Sequence, residues 1–173
     1  MAGGGWWLSE SSRVDDSASE DASRRPDYYL RSFENTIHDE SGKPSRMLSG
    51  TEMRHYPDDD STELDNPHLI LIDDDGARWT VNAEGGKLSG DGNILLLDGK
   101  VEIEKGAHQG IVPIRIETSD LLIYPERNLA ETGAEIRITS GDNWIHSTGM
   151  KVWFQSPARI RLLSNVRGQY EIH

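Results

Sequence analysis

Residues 79–103 read WTVNAEGGKLSGDGNILLLDGKVEI, and residues 114–138 repeat their pattern as IRIETSDLLIYPERNLAETGAEIRI. At a shift of 35 residues the apolar positions coincide, so that Val81 falls on Ile116. A third and less regular copy occupies residues 144–172. Each copy holds an alternating strand, a turn and a second strand. Stacked β-units of this kind form an elongated sheet or solenoid rather than a compact catalytic fold.

The rest of the chain follows the same two-residue alternation, and helical periodicity is hard to find. We expect a strand pair over residues 45–56 and a single strand over residues 64–72 that tolerates Pro67 near its start. The Asp91-Gly92 pair predicts a tight type I′ hairpin turn. Short strands separated by polar turns indicate an all-β fold, either a sandwich, a barrel or a roll.

Alternation also assigns faces, because side chains two residues apart on a strand point the same way. Glu102 and its polar counterparts are predicted to face outward. The apolar positions predicted to face inward include Leu64, Ile70, Ile72, Val81, Leu97, Ile116, Val152, Ile160, Leu162, Val166, Tyr170 and Ile172. Two interpretations stay open, since a closed sandwich core and an open groove for acyl chains use the same residues.

Composition divides the chain into two parts. Residues 1–27 are predicted to be a disordered acidic segment, because Ser, Asp, Glu and Arg dominate it after the opening MAGGGWWL. That opening is either the remnant of a membrane anchor or a start-site remnant, since tryptophan pairs favour membrane interfaces. Residues 28–173 are expected to form one domain. The formal net charge of −12 argues against a nucleic-acid partner.

Motifs for catalysis or metal binding are missing from the sequence. It has no cysteine, its six histidines are scattered, and the Asp-rich run at residues 73–75 fails the spacing of a calcium loop. No nucleotide-binding or nucleophile motif occurs. The sequence therefore predicts no enzyme, no cofactor and no metal. A carbohydrate-acting enzyme with paired carboxylates stays as an alternative, although alternation directs the carboxylates Glu102, Glu104 and Glu117 outward.

Several blocks together resemble the LptC family. They are the strand repeat, the ending LLSNVRGQYEI (residues 162–172), the segment STGMK (residues 147–151) and the N-terminal block over residues 28–67. The resemblance implies an elongated, twisted antiparallel β-jellyroll, shaped like a boat, with an open apolar groove. It also implies a periplasmic domain anchored to the inner membrane. The related proteins LptA and LptD share the β-module, so a paralogue is the main alternative within this superfamily.

The function that the resemblance implies is lipopolysaccharide transport. The protein would receive lipopolysaccharide from the inner-membrane LptB/LptF/LptG complex and pass it to periplasmic LptA for assembly in the outer membrane. Two alternatives remain, a purely structural β-scaffold that bridges partners, and the bridge protein LptA itself.

The resemblance also implies roles for single residues. Matching the blocks places the family's lipid-contacting positions on Phe33, Leu64, Ile160 and Tyr170, and an assembly glycine on Gly149. The last strand is expected to be an edge that pairs with LptA, and an edge over residues 32–37 is expected to meet LptF or LptG. The partner-binding residues predicted on this basis are Ser32, Gly149, Val166, Arg167, Gly168 and Tyr170.

Overall fold

A computed structural model describes residues 24–171 of the protein. Ten strands form one antiparallel sheet in the order β1-β2-β3-β5-β6-β7-β8-β9-β10, and β4 pairs with β2 and β5 beside β3. The strands are β1 (Tyr28–His38), β2 (Pro44–Tyr56), β3 (Ser61–Asp65), β4 (His68–Ile72), β5 (Arg78–Leu88), β6 (Leu95–Lys105), β7 (Ile114–Tyr124), β8 (Leu129–Ser140), β9 (Asn143–Trp153) and β10 (Arg159–Gln169). A short 3₁₀ turn at Pro125–Arg127 is the other regular element of the described chain. The predicted all-β antiparallel class is confirmed.

The sequence repeat corresponds to two consecutive hairpins, β5–β6 and β7–β8. Val81 and Ile116 are both fully buried, as their equivalence predicts. The predicted two-residue turn between β5 and β6 is wrong, because the connection is longer. The Ser89 N–H donates to the Ile94 carbonyl at 2.9 Å across four residues, and Gly92 supplies the positive φ of +72°.

Two strand predictions at the N-terminal side are also corrected. Residues 45–56 form the single strand β2, not a strand pair. Residues 64–72 contain the break between β3 and β4 at Asn66 and Pro67. Proline has no N–H for a ladder, and Asn66 takes a left-handed φ of +49° that no regular strand allows.

This break reverses the alternation that follows it. Leu69 and Leu71 are 7% exposed and point into the core, whereas Ile70 and Ile72 are half-buried on the opposite face. The inward assignment of Ile70 and Ile72 is therefore wrong. A single left-handed residue rotates the chain between two strands, and a shift of one position exchanges the two faces of a strand.

Several of the long strands bend near their middle, at residues with positive φ. We call these positions the corner line: Gly99 in β6, Asp120 in β7, Gly149 in β9 and Asn165 in β10, with φ between +51° and +77°. Pairing registers shift beside them, which marks β-bulges. The bend lets both arms of a strand bury their apolar side chains, as Ile116 and Leu121 do in β7. Both arms of the bent sheet thereby use the same face to enclose one core.

Hydroxyl side chains donate hydrogen bonds to backbone carbonyl groups near the bulges, where the regular pairing between strands is interrupted. Thr118 Oγ1 donates to the Glu135 carbonyl and Thr132 Oγ1 to the Ser119 carbonyl, each at 3.0 Å. A buried carbonyl without a partner is costly, so these bonds stabilise the bends. They explain why polar residues occur among the buried positions of an apolar interior.

The residues before β1 are attached to the β2–β3 hairpin by ionic contacts. Arg24 Nη2 lies 2.7 Å from Asp59 Oδ2. The His55 ring bridges Asp27 at 2.7 Å and Asp60 at 2.8 Å, and the hydrogen bond to Asp27, followed by that to Asp60, raises the pKa of His55. Residues 24–27 are thus attached to the β2–β3 hairpin. Residues 1–23, which hold most of the predicted acidic segment, lie outside the described residues.

Candidate lipid and partner sites

A single apolar interior runs along the length of the sheet. Its central side chains have 0–2% of their surface exposed, whereas inward residues near the strand ends, such as Ile114, Ile145 and Ile160, are only half-buried. Of the residues predicted to face inward or to contact lipid, the structure places these inside: Phe33, Leu64, Val81, Leu97, Ile116 and Val152, with Ile160 and Leu162 packed against the same core from β10. The structure therefore brings most of the predicted set together.

The end of the chain does not follow the prediction. Tyr170 lies beyond the last residue of β10 and is 79% exposed, and Val166 is 55% exposed. The bulge at Asn165 interrupts the alternation, and no strand of the described chain lies on the outer side of β10 to cover these residues. The inward assignment of Val166 and Tyr170 is therefore wrong. Ile172 lies outside the described residues.

Within the described chain the interior is lined by apolar side chains. The buried polar residues of the described chain carry hydroxyl groups, namely Ser61, Thr118, Thr132 and Ser147. Each methylene taken from water gains about 0.8 kcal/mol. At the centre, however, side chains already fill the space between the two arms of the sheet. An acyl chain lying there must displace or separate them.

Two turns that are far apart in sequence meet over this interior. Ser156 Oγ donates to Asp75 Oδ2 at 3.0 Å, and Phe154 packs edge-to-face on Trp79 with 5.2 Å between ring centroids. A hydrogen bond with Asp73 is the main cause that lowers the pKa of Asp75 to about 2, so Asp75 is an ionised acceptor at neutral pH. We call this contact the seam. It closes the interior between the β4–β5 and β9–β10 turns.

Both edges of the sheet expose apolar side chains. Among residues 24–171, the strands β1 and β10 each have one neighbour in the sheet, so one side of each backbone has no strand partner there. The large apolar residues exposed on or beside these strands are Tyr28, Tyr29, Leu30 and Ile37 at one edge and Leu163, Val166 and Tyr170 at the other. The predicted partner residues Ser32, Arg167 and Gly168 belong to the same two strands. Such edges favour pairing with another chain.

The C-terminal edge differs in charge from the rest of the protein. Residues 143–170 carry four cations, Lys151, Arg159, Arg161 and Arg167, and no carboxylate, although the whole chain has a net charge of −12. Arg159 stacks on the Trp153 ring at 5.4 Å. An acidic strand beside β10 would find opposite charges across the new pair.

Gly149 belongs to the corner line and has a local structural role. Its φ is +77°, and a Cβ atom added there would lie 2.9 Å from Leu163 Cδ1. A side chain at this position is thus both strained and crowded. The partner-binding role that the resemblance implies for Gly149 stays a prediction. Its conformation places it at the register shift between β8 and β9, next to Leu163 of the edge strand β10.

The candidate carboxylates for sugar hydrolysis lie on the outer face. Arg115 pairs with Glu102 at 2.8 Å and with Glu104 at 3.7 Å. Within residues 24–171, no group of three or more His, Asp or Glu side chains could hold a metal ion. Among the same residues, no helix has the length and apolar character needed to span a membrane.

Comparison with models of protein families identifies one family that matches this chain. A family model described as lipopolysaccharide-assembly, LptC-related matches residues 1–171. A similar solved structure is the crystal structure of LptH from Pseudomonas aeruginosa, described as the LptA homologous periplasmic component of the conserved lipopolysaccharide transport device. It has 6% identity and a TM-score of 0.58, over 73% of this chain and 95% of that one. This likeness shows the β-jellyroll fold alone. No curated protein matches the sequence significantly.

Proposed function

Because this chain belongs to the LptC-related family of lipopolysaccharide-assembly proteins, we propose that it carries the acyl chains of lipopolysaccharide in its apolar interior. A role in lipopolysaccharide transport within the Lpt complex follows from the family, whose fold is that of a non-enzymatic bridge protein. The proposal adds the direction: receipt from the inner-membrane LptB/LptF/LptG complex and delivery to periplasmic LptA. The continuous apolar interior, which reaches both edge strands, is the observation that supports carriage of acyl chains.

The interior suits a cargo that must be released. Binding by hydrocarbon contact alone has no covalent step, and the half-buried residues at its ends offer places where a chain could enter without opening the whole sheet. Nothing in residues 24–171 resembles a nucleotide site, so the direction of transport would come from the ATPase partner. We propose residues 28–173, together with the attached residues 24–27, as the transport domain, and the residues before them as a segment toward an inner-membrane anchor.

Site-specific photocrosslinking tests the interior as the lipid path. With a photoreactive amino acid at Leu64 or Ile160, we expect adducts with purified lipopolysaccharide at several times the yield obtained at Glu102, because the first two side chains face the interior and Glu102 faces solvent. Adducts are measured as shifted bands that a lipopolysaccharide antibody detects. Equal yields at Glu102 and at the interior sites would contradict the proposal.

A structural scaffold is the second candidate, and one observation favours it. The centre of the interior is filled, with Val101, Ile103 and Met150 at 0% exposure, which is what a closed core requires. The two functions differ in one result. A scaffold binds its protein partners through β1 and β10 and yields no lipid adducts from inside, whereas a lipid carrier does both.

The two edges are proposed as the docking sites for protein partners. We propose that β10 pairs with LptA and that β1 meets the β-jellyroll of LptF or LptG. The unpaired backbone, the exposed apolar residues and the cationic outer face of β10 support this assignment. Since β1 and β10 stand at opposite ends of the strand order, partners at both edges would extend one sheet on either side.

A proline in β10 tests the C-terminal edge. Adjacent residues direct their N–H groups to opposite sides of an edge strand. The two single variants Val166→Pro and Arg167→Pro therefore each remove one N–H, on opposite sides of β10. At least one variant should weaken LptA binding by about tenfold or more, since one interstrand bond is lost and its acceptor is left unpaired. Binding is measured by surface plasmon resonance.

The matched control is a proline in the other edge strand. Tyr29→Pro in β1 should leave LptA binding unchanged and weaken association with LptF and LptG. Full retention of LptA binding by both β10 variants would refute β10 as the LptA edge. Thermal unfolding of each variant shows whether the sheet itself is intact.

A further inference from the structure

The bent sheet has a mouth, which is the side where the ends of its two arms face each other across the apolar interior. The pairing registers put the start of β5 and the end of β9 at opposite ends of the strands. The β4–β5 and β9–β10 turns therefore stand on opposite rims of the mouth, and they meet at the seam because the strands bend. Among residues 24–171, every ladder joins neighbouring strands of the sheet, so side chains alone connect the two rims.

A second side-chain contact crosses the mouth near the seam. Arg46 Nη1, at the start of β2, lies 3.7 Å from Glu126 Oε1 in the 3₁₀ turn between β7 and β8. Arg46 pairs with Leu71 at the end of β4, so it belongs to the same rim as the β4–β5 turn. A cavity of about 460 Å³ lies beside this ion pair, and its wall includes the core residues Leu71 and Phe154. The core is thus accessible from the mouth next to the seam.

The contacts that hold the rims together can open without disturbing any ladder. The hydrogen bond between Ser156 and Asp75 joins exposed side chains, and the Glu126 side chain is 79% exposed. Exposed ion pairs and hydrogen bonds contribute little net stability, because water replaces them when they break. Below them, the rings of Trp79 and Phe154 contact each other through hydrocarbon, and an acyl chain would offer them a contact of the same kind.

A glycolipid that moves along the interior would have to pass these contacts. Its acyl chains lie inside and its anionic sugar head stays in water, so the covalent link between them must run through the mouth. Any contact that joins the two rims crosses the path of that link. We propose that the seam is a gate, whose Asp75–Ser156 hydrogen bond opens as each lipid passes and closes behind it. The inference rests on the proposed function, since a gate has a role only if acyl chains travel in the interior.

Locking the seam tests the gate. Asp75→Cys combined with Ser156→Cys places the only two thiols at the seam, because the sequence has no cysteine, and a short reducible bis-thiosulfonate reagent joins them. The matched control is Glu131→Cys combined with Lys151→Cys, which links the paired strands β8 and β9 without crossing the mouth. Each crosslinked protein is then assembled with LptB, LptF and LptG in vesicles that contain lipopolysaccharide.

A photoreactive amino acid at one of two positions reports how far the lipid travels. Leu64 in β3 and Ile145 at the start of β9 lie on either side of the β4–β5 turn in the strand order. With ATP, we expect the locked protein to keep its lipopolysaccharide adducts at Leu64. Its adducts at Ile145 should fall to the yield measured without ATP, and reductant should restore them. The control crosslink should leave the yields at both positions unchanged.

The outcomes separate this inference from the proposed function. Equal yields at Ile145 before and after reduction of the locked protein would overturn the gate, while carriage in the interior stands. Loss of adducts at Leu64 as well would place the obstruction before the seam and also overturn it. Absence of adducts at both positions in the reduced protein would refute the carrier function.

A variant without any crosslink tests the same gate from the opposite direction. Ser156→Ala removes the hydroxyl that donates to Asp75, so the seam should open more easily. We expect ATP-dependent adducts at Ile145 to form at least as fast as in the protein with Ser156. A loss as large as that caused by locking would show that the seam supports the lipid path instead of obstructing it, which would overturn the gate.

Discussion

Replacing Trp79 by alanine is expected to lower the free energy of unfolding by about 3–5 kcal/mol. The Trp79 side chain is 1% exposed, and it packs against Phe154 at the seam and under the Lys105 ammonium. Its removal leaves a large cavity where the β4–β5 turn meets the β9–β10 turn. Urea denaturation followed by circular dichroism measures the loss.

A conservative variant serves as the control. Trp79→Phe keeps most of the ring packing and removes the indole N–H, which is buried without a hydrogen-bond partner. We therefore expect Trp79→Phe to cost less than about 2 kcal/mol. Similar losses for Ala and Phe would contradict packing at the seam as the source of the stabilisation.

The second large effect is expected at Gly149. Gly149→Val should lower the free energy of unfolding by about 2–4 kcal/mol, because a β-branched residue is strained at a φ of +77° and its Cβ would crowd Leu163. The disruption should be local. Hydrogen exchange should show lost protection in β10 and at its pairing with β9, while β5 and β6 keep theirs.

Gly133 is the matched control for this substitution. It lies beside a register shift in β8, its φ is not left-handed, and a Cβ added there meets nothing within 4 Å. Gly133→Val should cost less than about 1 kcal/mol. If Gly149→Val weakens partner binding in proportion to the lost protection of β10, the assembly role implied for Gly149 acts through the edge strand. Weakened binding with β10 intact would point to direct contact instead.

Much of the fold could be predicted because β-alternation is a local property of the backbone. The period of two follows from the pleat, so Val81, Leu97 and Ile116 were assigned inward correctly from neighbours a few residues away. Membership of the LptC-related family was also predicted, from the order of degenerate blocks rather than from any single motif. Both the alternation and the order of the blocks can be recognised from the linear sequence alone.

The errors occurred where one residue reverses the alternation. Ile70 and Ile72 follow the left-handed Asn66, and Tyr170 follows the left-handed Asn165. A signal existed in the sequence, since Asn and Asp within a strand pattern tolerate positive φ better than most residues. The corner line depends on the same property, because Asp120 and Asn165 take positive φ in the middle of strands.

By itself the sequence determined an acidic, all-β chain with a repeated hairpin, an apolar face and the family to which it belongs, since composition and alternation need no distant contact. Only the tertiary structure decided which residues meet across the interior. Asp75 and Ser156 lie 81 positions apart and touch at the seam, and the Lys105 ammonium of β6 lies 5.2 Å from the centroid of the Trp79 ring of β5. Contacts between residues so far apart in sequence depend on the combined bends of many strands, which a local sequence pattern does not predict.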